Sequence, residues 1–139
     1  MRWRQYREFL ANSEAQLGKN AYEFAIAPWH HDADDFRSLH NANVSHVDFS
    51  ILPREKRYAT ITFLNRWETH HIVLSYDKVC AFEMTFDRKS EGSGKEDLLI
   101  DEIGLSPQSL RTHTLVFASG HVWTIEFEDL RIAFEPVIA

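Results

Sequence analysis

The chain has 139 residues, of which 44% are hydrophobic and 26% charged, and this predicts one globular domain that buries a core without disulfides or a structural metal. The single cysteine, Cys80, excludes an intramolecular disulfide and favours a reducing compartment. No apolar run approaches the roughly 20 residues of a membrane span, and the start MRWRQYREFL lacks the apolar core of a signal peptide. We therefore expect a cytoplasmic protein with no membrane partner.

The net charge of −6 is unevenly distributed. Residues 1–70 carry nine basic and nine acidic side chains, whereas residues 71–139 carry six basic and twelve acidic ones. Nucleic-acid binding needs clustered Lys and Arg, so we expect no nucleic-acid partner. The acidic second half fits either a solvated surface or a basic protein partner.

The N-terminus is predicted to be helical over residues 1–18. Trp3, Tyr6, Leu10 and Leu17 recur near helical spacing, and Gly18 is a typical residue just after a helix end. We expect the aromatic side of this helix to pack against a sheet.

From residue 44 the hydrophobic period changes to two, which is typical of β-strands. NVSHVDFSI and the strand after the turn PREKR (53–57) form one predicted hairpin with a single apolar face. TLVF and VWTIEF form another, in which Gly120 takes the left-handed position of a three-residue loop and Leu115 pairs with Trp123.

Two apolar segments change parity midway, at Asp77-Lys78 and at Glu128-Asp129. Such a change means either a bulged or bent strand or a two-residue turn. At Glu128-Asp129 we favour a bulged or bent strand, because Glu and Asp adopt positive φ less readily than Asn or Gly; at Asp77-Lys78 both alternatives stay open.

The resulting fold class is α+β: an N-terminal helix packed on a mainly antiparallel β-sheet or β-sandwich of about six to eight strands. We predict a single domain over residues 1–139, with the antiparallel region at 44–135. Its flexible loop is the Gly-, Ser- and charge-rich stretch 88–97.

The stretch HHDADDFRSLH (30–40) is the densest group of potential metal ligands. Imidazole with carboxylate is the usual donor mixture for zinc, iron or manganese, but the spacing matches no known metal motif. A polar loop, with the aspartates capping turns, is the favoured interpretation. The alternative is a transition-metal site, with ligands drawn from His30, His31, Asp32, Asp34 and His40.

Other chemistry-bearing residues have structural interpretations. His113 shares parity with Leu115 and Phe117, which predicts a partly buried, hydrogen-bonded histidine. Cys80 lies among apolar residues, which predicts an inert core cysteine, and the adjacent pair Asp101-Glu102 is interpreted as surface charge. No nucleophile elbow or phosphate loop is present, so no catalytic residue and no cofactor are predicted.

Two exposed-looking groups are candidate partner-binding residues. Arg66, Trp67 and Glu68 lie at a hairpin turn, and Trp and Arg are typical residues of protein interfaces. Burial of Trp67 in the core is the alternative. The acidic residues Glu126, Glu128 and Asp129 would face a basic partner.

The run DFRSLHNANVSHVDF and the ending THTLVFASGHVWTIEFEDLRI resemble a loose group of small bacterial proteins. The group includes uncharacterised proteins and, more distantly, immunity-type proteins encoded beside polymorphic toxins. The matching positions are Leu39, His40, Ala42, Val44, Val47, Phe49, His113, Leu115, Phe117, Gly120, Ile125, Phe127, Leu130 and Ile132. Asn41 stands where the group usually has aspartate. The resemblance implies a stoichiometric binding protein without an active site.

Three functional hypotheses follow. The first is a non-enzymatic cytoplasmic protein-binding domain, such as an immunity-type inhibitor of a basic toxin. The second is a metal-dependent enzyme or small-molecule binder that uses the residues at 30–40. The third is a homodimer formed through Trp67 and an unpaired strand edge.

Overall fold

The computed structural model describes residues 3–52, 56–85 and 97–138. The helices in these ranges are α1 (Trp3–Asn12), α2 (Glu14–Leu17) and α3 (Lys19–Ile26), followed by a 3-10 helix at Pro28–His31. The strands are β1 (Asn43–Leu52), β2 (Lys56–Leu64), β3 (His70–Asp77), β4 (Ala81–Thr85), β5 (Leu98–Leu105), β6 (Arg111–Phe117), β7 (Val122–Phe127) and β8 (Asp129–Pro136). The fold is therefore α+β, as predicted.

The helical region is longer and more broken than the single helix predicted over 1–18. Gly18 ends α2, as expected, with φ 77 and ψ 163, a conformation that only glycine adopts readily. Its carbonyl nevertheless accepts the N–H of Tyr22, so α3 begins at once. Tyr6 and Leu10 of α1 are buried, which confirms that an aromatic side of the helix faces the core.

The strands form two four-stranded antiparallel sheets, in the orders β1-β2-β3-β8 and β4-β7-β6-β5. The hairpin β1-β2 forms as predicted, with Val47 opposite Ile61 and Phe49 opposite Ala59. Residues 53–55 of its turn lie outside the described residues. None of the helices in the described ranges is long and apolar enough to cross a membrane.

The two parity changes are bends at which the chain passes from one sheet to the other. Strand β8 pairs with β3, Asp129 lying opposite Asp77, and not with β7. Glu128 lies between β7 and β8 and donates its N–H to Asp77 O at 3.0 Å. The bent strand predicted at Glu128-Asp129 is confirmed, and the alternatives left open at Asp77-Lys78 also resolve to a bend between the sheets.

The bend between β3 and β4 overturns the prediction of a buried Cys80. Lys78 adopts φ 49 there, and the next residue, Val79, takes the buried position with 4% exposure. Cys80 is consequently exposed.

The hairpin β6-β7 has the predicted register and turn. Leu115 pairs with Trp123, and Gly120 has φ 91 in the loop Ala118–Gly120. The segment 88–96 of the predicted flexible loop lies outside the described residues. Asp97, its last residue, forms an isolated bridge with Asn43.

Candidate functional site

A buried polar cluster of Tyr76, His113, Asp101 and His30 joins the two sheets to the helical region. Asp101 lies on β5 and His113 on the neighbouring β6, while Tyr76 comes from β3 of the other sheet and His30 from the 3-10 helix. Asp101 is 7% exposed, His30 2%, and His113 and Tyr76 0%. We call these four residues the Asp101 cluster.

One carboxylate oxygen holds the cluster together. Asp101 Oδ2 lies 2.6 Å from His30 Nε2 and 2.8 Å from His113 Nε2, and each ring N–H donates to it. His113 Nδ1 lies 2.6 Å from the Tyr76 hydroxyl, which donates to it. His30 Nδ1 lies 2.7 Å from the carbonyl oxygen of Phe24, which can only accept.

These contacts fix the positions of the protons. Both ring nitrogens of His30 face acceptors, so both carry a proton and the ring is an imidazolium, unless Asp101 holds the second proton. Burial of Asp101 opposes its ionisation, but the charge of His30 and the hydrogen bonds from His113 and His30 outweigh burial and hold the pKa of this carboxyl well below its usual range. Asp101 and His30 therefore form a buried ion pair, whereas His113 needs only one proton.

The two tyrosines next to this pair are fixed hydrogen-bonding groups. Burial, and then the charge of Asp101, raise the pKa of Tyr76 well above its ordinary value, so its hydroxyl stays protonated as a donor. The Tyr6 hydroxyl donates to Ile103 O and accepts from Ile103 N, both at 2.9 Å. Tyr6 thereby attaches α1 to β5, the strand that carries Asp101.

Aromatic rings enclose the His30 side of the cluster. The Phe24 ring stacks on His30 with a centroid distance of 4.0 Å, and His31 stacks on it at 4.2 Å. Burial, and then the charge of His30, lower the pKa of His31. Both members of the pair are buried, and a buried environment strengthens the attraction between opposite charges.

A cavity of about 520 Å³ opens beside Asp101, and we call it the Asp101 cavity. The residues that line this cavity include Trp3, Tyr6, His31, His40, Asp101 and Glu102. No described residue donates a hydrogen bond to Asp101 Oδ1. In the described ranges, the one fully buried polar side-chain atom without a partner is Trp123 Nε1. Asp101 Oδ1 is therefore not fully buried. The exposed part of the Asp101 carboxylate therefore includes Oδ1, and Asp101 is one of the residues that line the cavity.

The stretch 30–40 mixes loop residues with one member of the cluster. Asp32 Oδ1 accepts the N–H of Asp34 at 3.0 Å, and Asp35 accepts the backbone N–H and the guanidinium of Arg37, each at 2.9 Å. Such bonds are typical of turn-capping aspartates. The interpretation of this stretch as only a polar loop is wrong for His30, which is buried and bonded to Asp101.

The proposed metal ligands do not converge. His30 points at Asp101, His31 Nε2 donates to Ala25 O at 3.2 Å, and His40 Nδ1 donates to Leu99 O at 3.1 Å. Across the described ranges, no three His, Cys, Asp or Glu side chains are arranged to hold one metal ion. A metal site at 30–40 gains no support from this geometry and stays a prediction.

The candidate partner-binding residues form two separate groups. Trp67 is 42% exposed, so the alternative in which it completes the core is wrong. Its ring lies under the Arg66 guanidinium, with Cζ 4.8 Å from the ring centroid, and Glu68 adopts φ 59 in the same turn.

The acidic group lies at the other end of the sheet. Glu128 is exposed and lies 3.4 Å from Lys78 Nζ, and Asp129 accepts from the Asn20 amide. Glu126 is half-buried. At one end of β8, Asp129 lies opposite Asp77, and at the other end Pro136 lies opposite His70, which follows the Arg66–Trp67 turn. At ~3.3 Å per residue along β8, about 23 Å separates the two groups.

Asp101 is the site residue that the sequence interpretation missed. It was paired with Glu102 as surface charge, but it shares parity with Ile103, which is buried. The available signal was a carboxylate at a strand position that alternation places on the apolar face. His113 occupies the corresponding kind of position on β6, so a carboxylate and an imidazole were both expected on buried faces. The prediction of a buried, hydrogen-bonded His113 is confirmed.

None of the family models, curated proteins or solved structures compared with the chain matches it. The resemblance to immunity-type proteins stays a prediction.

Proposed function

We propose that this chain is a non-enzymatic, cytoplasmic protein-binding domain with a basic partner, and that it acts as an immunity-type inhibitor of a toxin. The observation that carries the proposal is the exposed Arg66–Trp67 pair on a rigid turn. We also infer that the two sheets pack face to face as a sandwich, because Tyr76 of one sheet reaches His113 of the other.

The turn that presents this pair is held by Asn65, which is 1% exposed. Its Oδ1 accepts from the N–H groups of Thr69 and His70 at 2.8 and 3.2 Å. Its Nδ2 donates to Thr69 Oγ1 at 2.9 Å and to Phe36 O at 3.2 Å. A side chain held in place before binding loses little entropy on binding, so an exposed Trp on this turn is suited to anchor an interface.

Charge supports a basic partner. The net charge is −6, and the excess of acidic residues lies in the second half of the chain. A negative field accelerates encounter with a positive surface and suppresses acidic partners. Glu128, exposed at the bend between β7 and β8, lies on the acidic part of this surface.

The internal bonding of His30, His113 and Tyr76 supports binding over catalysis by these three residues. A general base must come within hydrogen-bonding reach of the proton that it removes. His113 and Tyr76 are fully buried and bonded to each other, and both N–H groups of His30 are bonded within the protein. The cluster is suited to holding α1, α3 and the sheets in one arrangement.

The experiment is capture of a partner by immobilised full-length protein from cells that carry its gene. Trp67→Ala and Arg66→Ala should lose the captured protein, whereas Met84→Ala, which changes an exposed apolar side chain on β4, should retain it. The identified partner should then be toxic on expression and be neutralised by the wild type but not by Trp67→Ala.

Two results would overturn the proposal: a partner retained equally by Trp67→Ala, or one that lacks toxicity. The exposed Phe49 and Ile51 on the edge strand β1 favour self-association as the other outcome. In that case the mass would rise with protein concentration, with no second protein captured.

A further inference from the structure

We propose that the Asp101 cavity binds a guanidinium or primary ammonium group. The cavity of about 520 Å³ lies between α1, the 3-10 helix and β5, and it is large enough for such a side chain or a small amine. The proposed protein-binding function does not require this site, so the two proposals can fail separately.

The polar atoms offered by three cavity residues are acceptors. Asp101 Oδ1 has no donor among the described residues. His31 donates its Nε2–H to Ala25 O, which leaves a lone pair on Nδ1, and His40 donates its Nδ1–H to Leu99 O, which leaves one on Nε2. A ligand that satisfies these acceptors must carry several N–H donors.

The charge at the cavity is negative. The imidazolium of His30 balances one carboxylate, that of Asp101, and both of its N–H groups are already bonded. Glu102 also lines the cavity and makes no ion pair with a described residue. Tyr6 lines the same cavity as both carboxylates, and after burial the charges of Asp101 and Glu102 raise its pKa.

Aromatic faces complete the site. Trp3 is 51% exposed, and its ring stands edge-on to His31 with a centroid distance of 4.5 Å. The Tyr6 ring is fixed by the two bonds of its hydroxyl to Ile103. A cation over such rings is attracted by their negative faces, whereas an anion would meet carboxylates and lone pairs.

The test is isothermal titration of the full chain with arginine amide, lysine amide and tetramethylammonium chloride. We expect the two N–H cations to bind and tetramethylammonium, which has no donor, to bind more weakly. Trp3→Ala should weaken binding of arginine amide about tenfold, which corresponds to about 1.4 kcal/mol. The matched control Trp67→Ala should leave it unchanged, and circular dichroism should show both variants folded.

A second variant, Glu102→Gln, keeps the test decisive if Trp3→Ala does not fold, and it should weaken binding about threefold. Titration with the blocked tripeptide acetyl-Gly-Arg-Gly-amide distinguishes the ligand's source. Binding of the tripeptide points to an Arg side chain of a partner protein, and binding of arginine amide alone points to a free small amine.

The proposal is overturned if neither N–H cation binds, if inorganic phosphate binds more tightly than arginine amide, or if Trp67→Ala weakens binding as much as Trp3→Ala does. None of these titrations needs the protein partner, so a failure here leaves the partner proposal untouched.

Discussion

Asp101 Oδ2 lies 2.6 Å from His30 Nε2 although 71 residues separate the two in the chain. This contact joins the 3-10 helix to β5 and is buried at both ends, with side-chain exposures of 0% for His30 and 7% for Asp101. A buried ion pair stabilises little beyond what desolvation costs, but the loss of one partner leaves an uncompensated charge. One carboxylate therefore joins the helical region to the sheet β4-β7-β6-β5.

Asp101→Asn should destabilise the protein by about 3–5 kcal/mol, because it leaves the His30 imidazolium without its counter-ion. Urea unfolding followed by circular dichroism measures the change. The neighbouring Glu102→Gln, which breaks no ion pair within the described residues, should change stability by no more than about 0.5 kcal/mol. Equal effects of the two variants would contradict the ion pair.

The ion pair also predicts loss of stability in acid. The folded-state pKa of Asp101 is depressed, so in acid the unfolded state binds more protons and stability rises with pH. The contribution is fully present above the unfolded carboxyl pKa of about 3.9 and is lost as the pH falls further towards the folded value. The difference in unfolding free energy between wild type and Asp101→Asn should shrink below about pH 4, and a constant difference would argue against the assignment.

Tyr76→Phe should cost about 1–3 kcal/mol, because it leaves His113 Nδ1 buried without a donor. The control is Tyr58→Phe, since Tyr58 is half-buried and its hydroxyl makes no hydrogen bond with a described residue. Thermal unfolding of both variants provides the comparison. A Tyr76→Phe protein as stable as the wild type would mean that the short Tyr–His contact contributes nothing.

The proton assignment can be read directly by nitrogen-15 NMR of the histidine side chains at neutral pH. His30 should show protons on both ring nitrogens, because Nδ1 faces the Phe24 carbonyl and Nε2 faces Asp101. His113 should show a proton on Nε2 alone. A single ring proton on His30, together with a protonated Asp101 carboxyl, would reverse the assignment.

Local pattern was sufficient for most of the fold. The period of two placed the strands, and Gly120 placed the β6-β7 turn with Leu115 opposite Trp123, because turn geometry fixes the register of a hairpin. The parity changes at residues 77–78 and 128–129 marked the bends. The length of the helical region was missed, because Gly18 ends one helix and begins the next.

The site was harder to predict because it is a product of tertiary packing. Asp101 contacts residues that lie 71 and 12 positions away, and no local period indicates that a carboxylate will meet two imidazoles. The predicted grouping of residues 30–40 was local in sequence, whereas only His30 of that stretch joins the cluster. Trp67 was left open between core and surface, and the rigid turn built on Asn65 decides in favour of the surface.

The most direct test of the binding account is the affinity of the captured partner for wild type, Trp67→Ala and Met84→Ala, measured by surface plasmon resonance. An anchoring Trp contributes at least about 2 kcal/mol, so Trp67→Ala should bind at least about 30-fold more weakly. The affinity of Met84→Ala should stay within about twofold of the wild type, because Met84 lies on β4, away from the Arg66–Trp67 turn. A Trp67→Ala protein that binds as tightly as the wild type would contradict the account.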